Sequence, residues 1–433
     1  MLTALTHARL LDPAKERDEI GVLLVEGGKI AAIGPDVAPP DSARIIDCTG
    51  LCLAPGLVDM RVAVGEPGEE QRETILSASR AAAAGGITAF AMLPNTSPVL
   101  DDIAGLEFIA RRAREAKLVK IFAYGAVTKG AAGRDLAEMG LLAEAGAVGF
   151  TDGVHAIGDA LTMRRALSYA KGFGKVLVQH PEEASLAAGG QMNEGEIATR
   201  LGLAGIPRAA EIIMLERDLR LVALTGGRYH AAHLSTAEGV ELIRVAKSEG
   251  LRVTCDVAPP YFALTEVDVG DYRTFAKLSP PLRTDDDRRA IIAGLADFTI
   301  DAIASDHAPQ DQDAKRVPFA AAAPGVVGLE TLLPIALELY HKGEIGLLDL
   351  LARMTVIPAG ILGLPMGRLK IGAAADLMVF DLNRPWVIDS GAFCSKSKNS
   401  PFDKRPVLGK VLMTMVDGRI VYQSEETLHA GAY

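Results

Sequence analysis

Histidines and carboxylates recur in this chain just after short apolar runs. Val176-Leu-Val-Gln leads to His180-Pro-Glu-Glu, Tyr229-His-Ala-Ala leads to His233-Leu-Ser-Thr, and Ile300-Asp-Ala-Ile-Ala leads to Ser305-Asp306-His307. Val148-Gly-Phe leads to Thr151-Asp152-Gly153, and the run from Ile87 to Leu93 leads to Pro94-Asn95-Thr96. Neutral imidazole and carboxylate brought to one point are ligands that suit zinc. Each residue also has a structural reading. His180 alone is a hydrogen-bonded core histidine. His230 and His233 are three apart on a strand, so they face opposite sides and at most one serves a site. Asp306 is equally placed to cap a following helix, and Glu182 and Glu183 read as solvent-facing or capping.

Such residues meet only if the runs before them are neighbouring strands that end at one rim. Leu57-Val-Asp-Met, Ile87 to Leu93, Val119 to Tyr124, Val148-Gly-Phe, Val176 to Gln179, Tyr229 to His233, Arg252 to Asp256 and Ile300 to Ser305 read as strands. Ala-rich helical segments over Thr74–Ala84, Ile103–Ala116 and Leu136–Ala145 lie between the earlier ones. Eight strand-helix units with polar strand ends predict an α/β fold, a (β/α)8 TIM-type barrel, in which reactive groups sit at the C-terminal ends of strands. A doubly wound open sheet is the alternative, but no G-x-G-x-x-G follows the first strand. Both ends of the chain are strand-rich. Apolar runs flank Gly27-Gly28 in one hairpin and Asp417-Gly418 in another, and Asp376-Leu-Met-Val-Phe reads as a buried strand. Residues 1–54 and 366–433 are therefore expected to build one small β-sandwich, with residues 55–365 as the barrel.

The formal net charge of −10 implies no broad basic surface and argues against a nucleic-acid partner. Lys396, Lys398, Lys404 and Arg405 read as a solvated loop. The four cysteines are too few and too scattered for a disulfide framework, and Cys48 and Cys52 lack a second pair to complete a zinc site. No apolar stretch reaches transmembrane length and no basic segment precedes an apolar run, so a soluble cytoplasmic protein is expected.

The chain resembles the class I dihydroorotases of the amidohydrolase superfamily. The resemblance lies in Pro55-Gly56-Leu57-Val58-Asp59, Glu66-Pro67-Gly68, Pro94-Asn95-Thr96, Asn193-Glu194-Gly195, Gly205-Ile206-Pro207 and His230 to Thr236. It continues through Pro280-Pro281-Leu282-Arg283, Ser305 to Pro309, Gly328 to Thr331 and Ser395 to Phe402, in the family's order. It implies a cyclic amidohydrolase: two zinc ions hold a hydroxide that opens the ring amide of dihydroorotate, and an aspartate from the eighth strand moves the proton. Zinc suits this chemistry because it lowers the bound water's pKa from about 16 to about 7.

The departures cluster at the site. Where the family has His-x-His-x-Arg, this chain has Arg61-Val62-Ala63-Val64-Gly65, losing two ligands and the substrate-clamping arginine. The family's Asp-Asp-Gly becomes Asp152-Gly153; without a gap Gly153 takes the ligand position, and with a one-residue slip Asp152 does. Pro-His-His becomes Pro259-Pro260-Tyr261, a substrate-binding Asn becomes Ser279, and a substrate-binding His becomes Gln310. What the resemblance leaves is Asn95 for substrate, His180 and His233 for one metal with Asp152 as third ligand, and Asp306 as the remnant proton shuttle; Pro324-Gly325 still matches a backbone contact region. Without metal, the bound hydroxide falls by roughly 10^8-fold near neutral pH.

The sequence reading therefore expects a non-catalytic, dihydroorotase-like protein of pyrimidine biosynthesis, without cofactor. By the same resemblance it is a structural subunit for the aspartate transcarbamoylase catalytic chain, and a homo-oligomer. The alternatives are an active cyclic amidohydrolase with one zinc, and a binding protein that keeps the old pocket for a pyrimidine-like ligand. Arg61 is expected to pair with Asp306 or Asp152, because an unpaired buried charge is costly.

Overall fold

The computed structural model describes residues 2–425. Eight short parallel strands form the barrel: β1 (Leu57–Val62), β2 (Ile87–Met92), β3 (Lys120–Ala123), β4 (Gly149–Phe150), β5 (Val176–Gln179), β6 (Arg228–Ala231), β7 (Val253–Val257) and β8 (Ala302–Ile303). They pair in sequence order as β1-β2-β3 and as β4-β5-β6-β7-β8. Single parallel bridges, Gly125 with Phe150 and Val62 with His307, join the two arcs and close the ring. The strands are largely buried on both faces because their outer face packs under helices and their inner face fills the barrel. Met60, Ala91, Tyr124, Val178, Ala232 and Ala302 belong to one buried cluster, and the Tyr124 hydroxyl donates to the Met60 carbonyl at 2.9 Å.

The expected helices form where apolar residues recur at helical spacing and a capping residue precedes them. Thr74 caps Ile75–Ala84 in a reciprocal pair with Ser77, and Asp102 caps Ile103–Ala116. The third is shorter than the expected Leu136–Ala145. It begins at Met139, because Leu136 bridges to Thr128 and the Ala137 amide donates to the Val127 carbonyl.

The two ends of the chain build one eight-stranded sheet. Its order is Arg419–Gln423, Pro406–Val416, Leu377–Val387, Cys52–Pro55, Leu2–Asp12, Arg17–Glu26, Lys29–Gly34, with Arg44–Asp47 beside Leu2–Asp12. The seam is antiparallel: Leu377 faces Pro55 and Phe380 faces Cys52. The sheet folds back until the tips of the two terminal hairpins touch. A Cβ on Gly418 would lie 2.7 Å from the Gly28 Cα, so the contact requires glycine. Leu5, Leu10, Leu23, Leu53, Val379 and Met413 fill the enclosed interior, which is the small β unit expected.

One further expectation outside the site is adjusted. Lys396 to Arg405 is no solvated loop but a strap over the barrel. The Lys398 ammonium is held by the Ser395 carbonyl at 2.7 Å, Arg405 grips Glu338 through two bonds of 2.7 and 2.8 Å, and Ser395 donates to buried Glu73. Lys396 and Lys404 remain exposed. Cys48 and Cys52 are buried, and burial pushes their thiols up to about 12 and about 11, so both are inert core residues. Among the described residues no helix is long and apolar enough to cross a membrane.

Candidate active site at the barrel mouth

The C-terminal ends of the strands converge on a cavity of about 510 Å³ lined by Arg61, Asn95, His180, His233, Ser279 and Asp306, among others. Arg61, at the end of β1, is 2% exposed. Its Nε donates to Asp306 Oδ1 at 2.8 Å, and its Nη2 donates to the Gly153 carbonyl at 3.3 Å. The expected ion pair therefore forms with Asp306 and not with Asp152. The other Asp306 oxygen meets His233 Nδ1 at 3.1 Å, and His233 Nε2 lies 2.7 Å from His180 Nδ1. The result is a continuous chain, Arg61–Asp306–His233–His180. Burial alone would raise the Asp306 carboxyl; His233 and Arg61 outweigh it and hold it down at about 2. Burial and the Arg61 charge push His233 down to about 4, so its ring is neutral.

Local backbone is bent to make this chain. His233 and Asp306 both adopt left-handed φ values, 38° and 48°, which non-glycine residues avoid unless their surroundings fix them. For His233 the anchor is Asp256 on β7. Its Oδ1 accepts the His233 amide at 2.7 Å, while its Oδ2 meets His230 Nε2 at 2.9 Å. His230, completely buried, also contacts Thr254 Oγ1 at 2.8 Å and is structural. For Asp306 the anchor is Asp59, whose Oδ1 accepts from the Arg61 amide at 3.1 Å and the Ser305 amide at 3.2 Å. Burial raises the Asp59 carboxyl to about 6.

The sequence-derived residues divide. His180, His233 and Asp306 come together. Asp152 does not join them. Its Oδ1 accepts the amides of Val127 and Thr128, both at 2.9 Å, and its Oδ2 accepts the Thr128 hydroxyl at 2.5 Å, so its lone pairs are spent on a loop. Asn95 is committed as well: it donates to the Asp152 carbonyl at 3.1 Å and accepts the Val154 amide at 3.1 Å. Gly153 fits only because it lacks a side chain; its φ is +68° and a Cβ would fall 1.5 Å from Asn95 Oδ1. Glu183 caps a short helix as expected, but Glu182 is neither capping nor solvent-facing. Its Oε1 lies 3.6 Å from His180 Nε2 and 3.4 Å from the Ser279 hydroxyl. The signal for Glu182 was its place two residues past His180 at a strand end. Asp256 carried a similar signal at the end of β7.

A binuclear metal centre does not fit these side chains. Two imidazoles point nitrogen to nitrogen at 2.7 Å, whereas a tetrahedral zinc with bonds of about 2.0–2.1 Å holds its ligands roughly 3.3 Å apart. The carboxylate offered as third ligand is turned away, and a guanidinium stands beside Asp306. Among the described residues no three of His, Cys, Asp and Glu are grouped as a metal-holding set.

The fold and the arrangement of the rim define an amidohydrolase-type barrel. The solved structures agree: L-hydantoinase (dihydropyrimidinase) from Arthrobacter aurescens superposes with a TM-score of 0.88 at 29% identity, covering 99% of this chain and 97% of that one. Dihydropyrimidinase from Brevibacillus agri shares the fold at a TM-score of 0.85 and 22% identity, covering 100% of this chain and 97% of that one. The dihydro-orotase-like family model matches residues 50–239. The dihydroorotases of Anaplasma phagocytophilum and Ehrlichia chaffeensis are each 46% identical to this chain; they cover 98% of it, with 95% and 96% of their own lengths. That of Geotalea daltonii is also 46% identical, over 96% of this chain and 98% of its own. The chain belongs to the dihydroorotase family.

Proposed function

We propose that this chain is a cytoplasmic, dihydroorotase-like protein of pyrimidine biosynthesis that does not itself catalyse the ring opening, and that it serves as a structural subunit for an aspartate transcarbamoylase catalytic chain. One observation carries the non-catalytic part. Arg61 replaces a histidine of the family's His-x-His pair and uses its charge to occupy Asp306, the proton-shuttle position. A fixed cation there repels Zn2+, and an Asp held at about 2 is a poor proton acceptor near neutral pH. The partner and the homo-oligomeric state rest on resemblance to the inactive members of the family.

A second reading is an active zinc-dependent dihydroorotase with a reduced metal site, and the comparisons favour it. The relatives at 46% identity over nearly the whole chain carry the name of the activity. In that reading His180 and His233 would hold one zinc, which would supply the hydroxide, and Asp306 would take the proton in place of its bond to Arg61.

One experiment separates the two. Protein purified from a host lacking its own dihydroorotase is assayed for dihydroorotate hydrolysis with zinc added. No turnover above buffer is the expected result; zinc-dependent turnover abolished by His233→Ala establishes the second reading. Co-elution with the transcarbamoylase on size exclusion tests the partner, and separate elution of two folded proteins removes it.

A further inference from the structure

The segment after β8 leaves the barrel and returns to it at nearly the same place. His307 and Val326 form a parallel bridge, and the Ala308 amide donates to the Val326 carbonyl at 2.7 Å. The Asn399 side chain donates to the carbonyls of Ala308 and Gly325 at 3.3 and 3.0 Å and accepts the Gln310 amide at 3.2 Å. Between these fixed ends residues 309–324 pack on themselves. Gln310 Nε2 donates to the Pro324 carbonyl at 3.0 Å, Asp311 accepts the Ala314 amide at 2.8 Å, and the Ala323 amide donates to the Ala314 carbonyl at 3.1 Å. A self-packed loop with joined ends is a unit able to move as one body. Pro309, Gln310, Ala323 and Pro324 line the mouth cavity.

Away from its ends, the loop's hydrogen bonds to the rest of the barrel run, among the described residues, through Lys277, Thr274 and Lys315. Lys277 Nζ donates to the carbonyls of Phe319 and Ala320 at 2.8 and 2.9 Å. Lys315 Nζ donates to the Thr274 carbonyl at 3.1 Å and to the loop's own Ala323 carbonyl at 2.6 Å, and the Thr274 hydroxyl donates back to the Lys315 carbonyl at 2.8 Å. No carboxylate is paired with either amine among the described residues. Asp313 and Arg316 on the loop, and Asp271 and Arg273 on the stretch before Thr274, are exposed, and Asp311 is used as a cap. Each amine makes two bonds, the number a neutral amine can donate; an ammonium brings a third N–H and a full charge. The Phe319 ring, 5.4 Å from Lys277 Nζ, favours charge on Lys277. Lys315 is only 3% exposed. Burial first, and then the like charge of Lys277, push its amine down to about 7.

We propose that residues 309–324 are a lid over the mouth cavity, latched by the side-chain amines of Lys277 and Lys315, and that protonation of Lys315 releases it. Opening returns Lys315 to water, where its ordinary value is 10.5, so the open lid takes up the proton more readily than the closed one. The closed lid therefore gains stability as pH rises from about 7 towards 10.5 and is loosest below about 7. The device acts on access to the cavity, whether the rim behind it is catalytic or not.

Hydrogen exchange of the full chain, corrected for the intrinsic effect of pH on exchange, reads the lid in peptides covering 309–325, with peptides of β2 as the internal standard. Between pH 8.5 and pH 6.5 the opening equilibrium is expected to rise about 25-fold, and lid protection to fall with it. Lys315→Met keeps the apolar stem and has no proton to take up, so the fall is expected to vanish in it. Lys277→Met removes the like charge and is expected to move the fall to higher pH. Lid protection that is equal at the two pH values in the unaltered protein overturns the proposal, as does a fall that persists undiminished in Lys315→Met. The measurement contains no substrate, zinc or partner, so its failure leaves the proposed function standing, and failure of that function leaves the lid to be judged on its own.

Discussion

Arg61 is a long cation in a place that is 2% exposed, and it is tolerable there only because Asp306 lies 2.8 Å away. Removing one member of a buried pair leaves the other charged and uncompensated, at a cost of about 3–5 kcal/mol. Arg61→Met is expected to lower the urea unfolding free energy toward the lower end of that range, since Asp306 keeps His233 and some solvent access. Adding Asp306→Asn in the same chain is expected to recover part of the loss, which a double-mutant cycle measures. The same group of residues sets an acid response. The folded His233 titrates at about 4, below its ordinary 6.5, so the unfolded chain takes up the proton first. Its contribution is fully present above about 6.5 and is lost as pH falls toward 4. Asp306, depressed from 3.8 to about 2, opens a second window below the first. Urea midpoints taken from pH 7.5 downward are expected to fall in these two stages, and His233→Gln is expected to flatten the upper one.

At the scale of elements, the loop after β4 shows why the site departs from the family's pattern. Asp152, Gly153 and Val154 wrap the Asn95 amide, and the left-handed Gly153 leaves no room for the carboxylate that the family carries. Gly153→Ala is expected to cost about 1–3 kcal/mol from backbone strain together with displacement of Asn95, read by thermal unfolding. Gly153→Asp alone is not expected to create zinc binding, which equilibrium dialysis checks. Most strands are legible in the sequence as short apolar runs, and β2, β4, β5, β6 and β8 are soon followed by polar residues. The helix expected over Leu136–Ala145 was overdrawn because its first residues serve a bridge to Thr128, a tertiary contact without periodicity. The strap from Lys396 to Arg405 reads as solvated from its charges, whereas Lys398 closes on carbonyls and Arg405 on Glu338. Glu182 escaped for a similar reason: Ser279 reaches it from 97 residues away. Arg61 and Asp306, 245 residues apart, were legible because charge balance at a buried rim leaves few options.

At the scale of the whole molecule, the rim is held by protein groups alone. Arg61, Asp59 and Asp306 tie β1 to β8, and Asp256 ties β6 to β7. A barrel stabilised in this way is expected to show the same thermal midpoint in EDTA as with added zinc. A zinc-dependent rise of several degrees, by the mass-action rule for ligands that bind only the folded state, would favour the metal-bearing reading. The antiparallel seam between Cys52–Pro55 and Leu377–Val387 has a consequence of another kind. Most of the chain lies between those strands, so on the ribosome the first half of the sheet waits on the order of tens of seconds, at about 5–20 residues per second, before its partner emerges. Throughout that interval Cys52–Pro55 presents an open edge, the kind of surface that recruits a neighbouring nascent chain. Slowing translation after residue 55 is therefore expected to raise the fraction lost to aggregates, read as soluble yield.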